Sequence, residues 1–298
     1  MINTIIQGVL LGGYYALIAA GLSFMFSVMR IINLAHGSLA VLAAYALFAL
    51  AQYFGISPFL GLLIVLPAMA GLGFLLQRFV LDRALRAGQL VPILATFGLA
   101  IVIDNALFEA FGANTRSLSN YIGTLSYDSI ELPGGIYVGE LSVGIFILAI
   151  AVLGGLQLFL SFTSYGRAIR ATSEDPDTAG LVGINARMAT AIASAIALAT
   201  VGLAGAALGM RGTFDAYTGA SQLLFAFEAA VIGGAGSVWG TLLGGIILAL
   251  AQALGAKVSP LGFLIAGHGV FLVVLFARLF TPGSTFPAMV RAALGRRQ

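Results

Sequence analysis

Residues 30–38 read RIINLAHGS and interrupt a sequence that is otherwise apolar enough to cross a membrane on either side of them. Hydrocarbon disfavours polar side chains and unpaired backbone groups, so the interruption indicates a turn at the membrane surface or a functional site. We expect Arg30 to anchor the surface and Gly37-Ser38 to begin the next helix. The sequence leaves open whether Asn33 and His36 only satisfy backbone groups of the turn or also line a transport pathway.

The composition predicts that lipid surrounds most of the chain. Hydrophobic residues make up 60% of the 298 residues and charged residues 8%, and the mean hydropathy is +1.05. Soluble domains carry about 25% charged residues, so this chain lacks the charges to cover a water-facing surface. The 39 glycines, some spaced like Gly205 and Gly209, are typical of closely packed transmembrane helices. The net charge of +3 lies in short loops and the tail, without the pattern of a nucleic-acid binder.

The predicted fold class is all-α, a polytopic integral membrane protein with about 8–9 transmembrane helices, because each crossing needs about 20 mainly apolar residues. No polar stretch is long enough to fold alone, so residues 1–298 are expected to form a single transmembrane domain. The predicted spans are residues 5–29, 31–54, 58–80, 90–111, 139–162, 188–210, 222–236, 238–256 and 260–280.

Arginine placement predicts the orientation, since positive charge favours the cytoplasmic side. Arginines cluster in the loops 78–86 and 163–187 and in the tail 281–298, which we expect to be cytoplasmic. The loop 112–138 holds one arginine against two acids and is expected to face outward, with a small hairpin around residues 133–135. Counting back along the spans, the N-terminus lies outside and the C-terminus in the cytoplasm.

The sequence carries no motif for an energy source or a catalytic reaction. A phosphate-binding loop needs a Gly-Lys-Ser/Thr ending, and the single lysine, Lys257, lacks both neighbours. We therefore predict no catalytic residue, metal or cofactor on this chain. Asp104 and Glu228 lie in apolar segments and support an alternative, an ion-coupled secondary carrier or channel. Hydrogen bonding between helices would explain the same two acids, and a membrane scaffold that transports nothing is a third interpretation.

The loop 163–187 contains a predicted helix outside the membrane. Asp175 followed by Pro176 is typical of an N-cap and first helical position, and Gly183 suits a left-handed C-cap. The apolar residues of this helix, including Leu181, have no protein of their own loop to pack against. The helix is therefore interpreted either as a docking element for a separate ATPase or as a simple connector.

A glycine-rich segment, IGGAGSVWG at residues 232–240, predicts a break in a helix and a new start near Ser237. Each glycine weakens a helix by about 1 kcal/mol relative to alanine. Gly37-Ser38 begins a helix in the same way, and glycine-interrupted segments in two related halves point to a transport site whose helix N-termini face a substrate carboxylate. The candidate pathway residues are Asn33, His36, Gly37, Ser38, Gly233, Gly234, Gly236 and Ser237.

Three segments resemble the permeases of branched-chain amino-acid ABC importers, a family that also includes urea and short-amide permeases. GRAIRATSEDPDTAGLVGIN at residues 166–185 is similar to the family's cytoplasmic coupling segment. Residues 21–39 resemble its junction between the first two spans, and residues 229–248 its late glycine-rich segment. The fourth span also fits, except that Asp104 stands where the family usually has a neutral amide or an apolar residue.

The resemblance implies one subunit of an importer in the cell inner membrane, which moves branched-chain amino acids or a related small polar solute by alternating access. The implied partners are a second permease (a related chain or a second copy), two cytoplasmic ATPase subunits that bind ATP and Mg²⁺, and an extracytoplasmic substrate-binding protein. The residues implied to couple to the ATPase are Arg167, Arg170, Glu174, Asp175, Pro176, Asp177, Leu181 and Gly183.

Overall fold

A computed structural model describes residues 1–88, 90–132 and 135–280. The predicted tail at 281–298 and the hairpin tip at 133–134 lie outside the described residues. The helices are α1 (Ile2–Met29), α2 (His36–Phe54), α3 (Pro58–Leu76), α4 (Asp82–Ala87), α5 (Val91–Phe111), α6 (Glu140–Phe162), α7 (Ser164–Glu174), α8 (Pro176–Leu181), α9 (Ala186–Arg211), α10 (Gly219–Gly233), α11 (Val238–Gly255) and α12 (Gly262–Phe280). A π-helical turn, Gln77–Leu81, joins α3 to α4.

The described helices confirm the predicted all-α, polytopic fold. Seven of them are long and apolar enough to cross a membrane: α1, α2, α3 continued through α4, α5, α6, α9 and α11. Two further apolar helices, α10 and α12, are shorter. Together they match the predicted spans one by one. The second helix begins later than predicted, at His36, because residues 30–35 leave the helical conformation.

The first helix lies at the centre of the bundle. Within α1, 83% of the most apolar window is buried, whereas α3, α5 and α6 are mostly exposed on the outside of the bundle. Helices α6, α9, α10 and α11 pack around α1. Glycines make this packing close: a Cβ on Gly12 would lie 2.5 Å from Ile246 Cα, and one on Gly13 2.5 Å from Phe146 Cδ2. The glycines of α1 therefore allow neighbouring helices to pack closely against it.

The two ends of the bundle carry different structures. At one end, the hairpin end, β1 (Ser129–Leu132) pairs antiparallel with β2 (Ile136–Gly139), which confirms the predicted hairpin on both sides of its tip. Gln7 Nε2 at the start of α1 donates to Tyr137 O at 3.2 Å and joins α1 to this hairpin. At the other end, the loop-helix end, α7 and α8 connect α6 to α9.

The contact between α2 and α9 tests whether glycines allow close helix packing in this bundle. A Cβ on Gly205 of α9 would overlap the Ala40 carbonyl oxygen of α2. We expect Gly205→Ala to lower the unfolding temperature of the detergent-solubilised protein, because overpacking costs about 1–3 kcal/mol. Gly98→Ala in α5 is the matched control, since no atom lies within 4 Å of a Cβ there. Equal unfolding temperatures for the two variants would show that α2 and α9 are not packed this closely.

Candidate functional site

The interruption at residues 30–35 turns back into the bundle. Arg30 ends α1 in the left-handed region, at φ 53°, and is exposed. His36 Nε2 then lies 2.7 Å from Ile18 O. Ile18 is 11 residues before the end of α1, or about 16 Å at 1.5 Å per residue. The second helix therefore starts inside the bundle, and the turn is not confined to the surface as one interpretation of the sequence expected.

The polar side chains of this turn are buried and serve the backbone. Asn33 and His36 are both 0% exposed. Asn33 Oδ1 accepts a hydrogen bond from Ala35 N at 3.0 Å, and Asn33 Nδ2 lies 3.9 Å from Met25 Sδ. Neither residue lines the two cavities described below. These contacts fit the expectation that both side chains satisfy backbone groups, while their place in a transport pathway stays a prediction.

The start of α2 touches the start of α10. A Cβ on Gly37 would overlap the Gly219 carbonyl oxygen, and one on Gly219 would lie 2.7 Å from Ser38 N. The sequence comparison of the two halves matched Gly37-Ser38 with Gly236-Ser237, but the structure does not bring those pairs together. The atoms nearest to Gly236 belong to Ser27. Sequence reasoning missed the Asp215–Gly219 stretch, which leads into α10 at this contact. In that stretch Asp215 Oδ1 accepts hydrogen bonds from Tyr217 N and Thr218 Oγ1.

The second interruption, residues 234–237, lies at the loop-helix end between α10 and α11. Gly234 and Gly236 have φ of 94° and 90°, which residues other than glycine rarely adopt. Ser237 caps α11 by accepting from Gly240 N at 3.1 Å. The helix break and the new start near Ser237 are therefore present as the sequence predicts.

Polar groups from other helices complete this break. Ser23 Oγ of α1 accepts from Gly236 N at 3.2 Å, and Arg278 Nη2 of α12 donates to Ile232 O at 3.0 Å. Gly233 and Gly240 let α10 and α11 approach so closely that a Cβ on either would overlap the other's carbonyl oxygen. Sequence reasoning counts Arg278 only among the basic residues of the C-terminal tail, because nothing in the sequence joins it to a carbonyl 46 residues earlier.

Two cavities of about 270 Å³ each lie toward opposite ends of the bundle. The inner cavity, at the loop-helix end, is lined by α1, α6, α7 and the second interruption, and its polar lining includes Arg170 and Ser237. The outer cavity opens toward the hairpin end between α1, α9, α10 and α12, and its lining includes Arg211 and Gln222. The bundle therefore holds a separate space on each side of its middle.

The acids predicted for ion coupling have different surroundings. Glu228 is 1% exposed, and its Oε1 lies 2.5 Å from His268 Nδ1 on α12. Asp104 is half-buried and lies near the Ser38 side chain, and its Oδ1 has no hydrogen-bond partner within the described residues. Both acids thus contact neighbouring helices, in agreement with the structural explanation given for them. His268 was not paired with Glu228 from the sequence, because the two lie 40 residues apart on different helices.

The predicted helix of the 163–187 loop is present with its predicted caps. Asp175 Oδ1 accepts from Asp177 N at 3.0 Å and Thr178 N at 3.1 Å, and Oδ2 accepts from Thr178 Oγ1 at 2.6 Å. The Thr178 side-chain and backbone bonds, with a smaller effect of Asp177 N, hold the pKa of Asp175 below its usual range. Gly183 ends the segment at φ 83°. Leu181 is 87% exposed and lacks a packing partner in the described chain.

A second loop helix, α7, precedes α8 and was not predicted. Thr163 Oγ1 caps it by accepting from Gly166 N at 2.9 Å, and its buried side includes Ile169. The residues named for ATPase coupling are all exposed at this end of the bundle; they are Arg167, Arg170, Glu174, Asp175, Pro176, Asp177, Leu181 and Gly183. The loop-helix end therefore presents a polar surface with Leu181 exposed upon it.

A bundle of apolar helices with interruptions inside it and a cavity toward each end is the architecture of a membrane transport protein. Residues 4–279 match the family described as the permease component of branched-chain amino acid transport systems. The chain belongs to this family and is a multi-pass membrane permease.

Curated relatives cover most of the chain. It is 30% identical over 292 residues to the high-affinity branched-chain amino acid transport system permease protein BraD of Pseudomonas aeruginosa, covering 93% of this chain and 94% of BraD. It is 30% identical to the corresponding protein LivH of Salmonella typhimurium, covering 83% of each. It is also 30% identical to the probable branched-chain amino acid transport permease protein LivH of Methanocaldococcus jannaschii, covering 88% of this chain and 85% of that protein.

The contact between Glu228 and His268 predicts a stability effect. We expect His268→Ala to lower the free energy of unfolding by about 1–3 kcal/mol, because it leaves a buried carboxyl oxygen without its hydrogen-bond partner. The double variant Glu228→Leu/His268→Ala should recover part of the loss, since it removes both polar groups. Unfolding temperatures of Glu228→Leu, His268→Ala, the double variant and the unchanged protein measure this coupling. Purely additive losses would contradict a direct Glu228–His268 interaction.

Proposed function

We propose that this permease translocates branched-chain amino acids or a related small polar solute across the inner membrane by alternating access. Residues 1–298 act as one transmembrane domain beside a second permease, which is either a related chain or a second copy. Two separate cytoplasmic ATPase subunits bind ATP and Mg²⁺ and supply the energy, and an extracytoplasmic binding protein delivers the substrate. The observation that carries this proposal is the exposed, fully capped α8 helix on a chain of the branched-chain amino acid permease family.

The α8 helix fits a docking element for the ATPase. Its N-terminal cap is local to residues 175–178 and uses no group from the transmembrane helices. Ala179 is buried and fixes one side of α8, while Leu181 and Val182 are 87% and 74% exposed. Burying two such apolar side chains against a partner would contribute favourably, at about 1.5–3 kcal/mol for each full burial. A helix that only connected α7 to α9 would gain nothing from exposing them.

The two interruptions are the proposed moving parts of the pathway. The turn at 30–38 and the break at 233–237 each end a helix inside or beside the bundle. The helices on either side of each interruption can therefore change their tilt without breaking the hydrogen bonds of a regular helix. Glycines at Gly37 and Gly233 allow sliding contacts with Gly219 and Gly240. Midplane sites built from interrupted helices are common in transporters. We therefore retain the predicted pathway residues around both interruptions.

Charge placement supports a cytoplasmic loop-helix end. The basic residues described at that end are Arg30, Arg78, Arg83, Arg86, Arg167, Arg170, Arg187 and Arg278, against Arg116, Arg211 and Lys257 toward the hairpin end. By the positive-inside rule, the N-terminus and the loop 112–138 face outward, and the loop 163–187 and the tail 281–298 face the cytoplasm.

An ion-coupled carrier is not proposed. Glu228 has a histidine partner on α12, and Asp104 is only half-buried. The relatives are named as permease proteins of transport systems, which supports an importer subunit.

Docking through α8 predicts that Leu181→Glu weakens binding of the ATPase subunits. A charge at the contact would have to be desolvated, so we expect at least a tenfold loss of co-purified ATPase with no change in unfolding temperature. The matched control is Tyr127→Glu, which places the same charge on a 74% exposed residue at the hairpin end. Undiminished ATPase association in Leu181→Glu would overturn the assignment of α8.

The orientation predicts the accessibility of introduced thiols, because the chain contains no cysteine. Ser126→Cys at the hairpin end should react with a membrane-impermeant maleimide on intact cells. Thr178→Cys in α8 should react only after the membrane is permeabilised. Both residues are exposed in the protein, so burial does not account for a difference. The reverse pattern would invert the proposed topology.

A further inference from the structure

The outer cavity has the shape and chemistry of a site for one small ligand. Its volume of about 270 Å³ is close to the lower limit of about 300 Å³ for small-molecule sites. We infer that it binds the carboxylate of a small apolar amino acid, with the Arg211 guanidinium as the cation. The inference deepens the proposed transport function and rests on it for the identity of the ligand.

Arg211 is placed to receive an anion. It is the last residue of α9, and its guanidinium carbon lies 5.2 Å from the centre of the Tyr14 ring. Within the described residues, no carboxylate or carbonyl oxygen accepts a hydrogen bond from this guanidinium. A guanidinium offers paired donors that match the two oxygens of a carboxylate. Arg211 is exposed at the mouth of the cavity, so these donors face solvent and are available to a ligand, with the Tyr14 ring beside the guanidinium.

The other arginines with described contacts donate hydrogen bonds to backbone carbonyl oxygens. Arg116, also toward the hairpin end, donates from Nη2 to Phe111 O at 3.1 Å and joins the 116–214 backbone bridge. Arg278 donates to Ile232 O. A positive charge at the C-terminal end of α9 also suits the helix dipole. The dipole alone does not explain why the Arg211 side chain lies over Tyr14 at the mouth of a cavity.

Neutral polar groups form the floor of the outer cavity. Tyr14 Oη donates to Gln222 Oε1 at 2.7 Å, and Tyr15 Oη donates to Gln252 Oε1 at 2.6 Å. No acidic residue lines the cavity in the described chain, so Arg211 provides its net charge. The site therefore favours a ligand with a carboxylate over a purely cationic one.

Apolar side chains make up much of the remaining wall. They surround the space beyond Arg211 and suit an aliphatic side chain, since burying each methylene contributes about 0.8 kcal/mol. These residues are Leu11, Leu208, Phe225 and Phe263.

The depth of the cavity agrees with a transport site. The cavity extends from Arg211 at the end of α9 to Tyr14 and Tyr15 at the middle of the 28-residue α1. Its deep part therefore reaches the level at which substrate sites of transporters lie, near the bilayer midplane. Gln222 and Phe225 belong to α10, whose first residue contacts the start of α2. The cavity wall thus includes a helix that begins at an interruption.

Thiol protection tests this inference directly. Thr213→Cys places the single thiol of the chain in the cavity lining. In the transporter assembled with its partner subunits, without ATP, L-leucine at millimolar concentration should slow the reaction of this thiol with a small methanethiosulfonate at least fivefold. L-leucinol, which keeps the side chain and amino group but lacks the carboxylate, should have little effect. Ser126→Cys, outside the cavity, should react at the same rate with either compound.

Variants of Arg211 identify the group that binds the carboxylate. Arg211→Gln in the Thr213→Cys background should weaken protection by leucine at least tenfold, whereas Arg211→Lys should keep part of it. Equal protection by leucinol, unchanged protection in Arg211→Gln, or no protection by leucine would overturn the inference. The transporter for this test is held in lipid nanodiscs. Protection that depends on their phosphatidylglycerol content and not on leucine would also overturn the inference, since the occupant would then be a lipid headgroup.

ATP-driven leucine uptake by the transporter with Arg211 unchanged distinguishes the proposed transport function from the proposed carboxylate site. Uptake without thiol protection would contradict the cavity assignment and leave the proposed function standing. Thiol protection without uptake would contradict the proposed transport of leucine and leave the carboxylate site standing.

Discussion

Every backbone amide and carbonyl inside a membrane needs a hydrogen-bond partner, and this constraint shapes the two interruptions of the bundle. A continuous helix satisfies this constraint with its own backbone hydrogen bonds, but residues 30–35 and 234–237 are not helical and need other partners. Asn33 supplies an acceptor at the first interruption, and Ser23 and Arg278 supply an acceptor and a donor at the second. Each interruption is therefore possible only because polar side chains are buried beside it, some from distant helices.

The central position of α1 follows from its glycines. Close approach of α6 and α11 leaves little exposed surface on α1, so the peripheral helices provide most of the exposed apolar surface of the bundle. The tyrosines of α1 reach α10 and α11 through hydrogen bonds to glutamines. One helix thus joins the packing of the bundle to the lining of its outer cavity.

Local sequence patterns predicted much of this structure, because their causes are local. The spans follow from apolar length, α8 from Asp175-Pro176 and Gly183, and the start of α11 from Ser237. Contacts between distant segments left no such pattern: the Gly37–Gly219 contact, the Glu228–His268 pair and the Arg278 cap each join residues far apart in sequence. In the sequence, Arg211 is an ordinary charge at the end of a helix, and only the structure shows that it lies over Tyr14 of α1. The match of Gly37-Ser38 with Gly236-Ser237 as corresponding parts of a transport site stays a prediction, and the two pairs contact different residues, Gly219 and Ser27.

The 15-residue α10 helix has a consequence for how the two ends communicate. Its last residue adjoins the break that lines the inner cavity beside α7, and its first two turns contribute Gln222 and Phe225 to the outer cavity. A rigid helix transmits displacement along its axis without needing a chain of side-chain rearrangements. A displacement of the break at one end of α10 would therefore be carried to the lining of the outer cavity at its other end, which ties the two cavities to one movement.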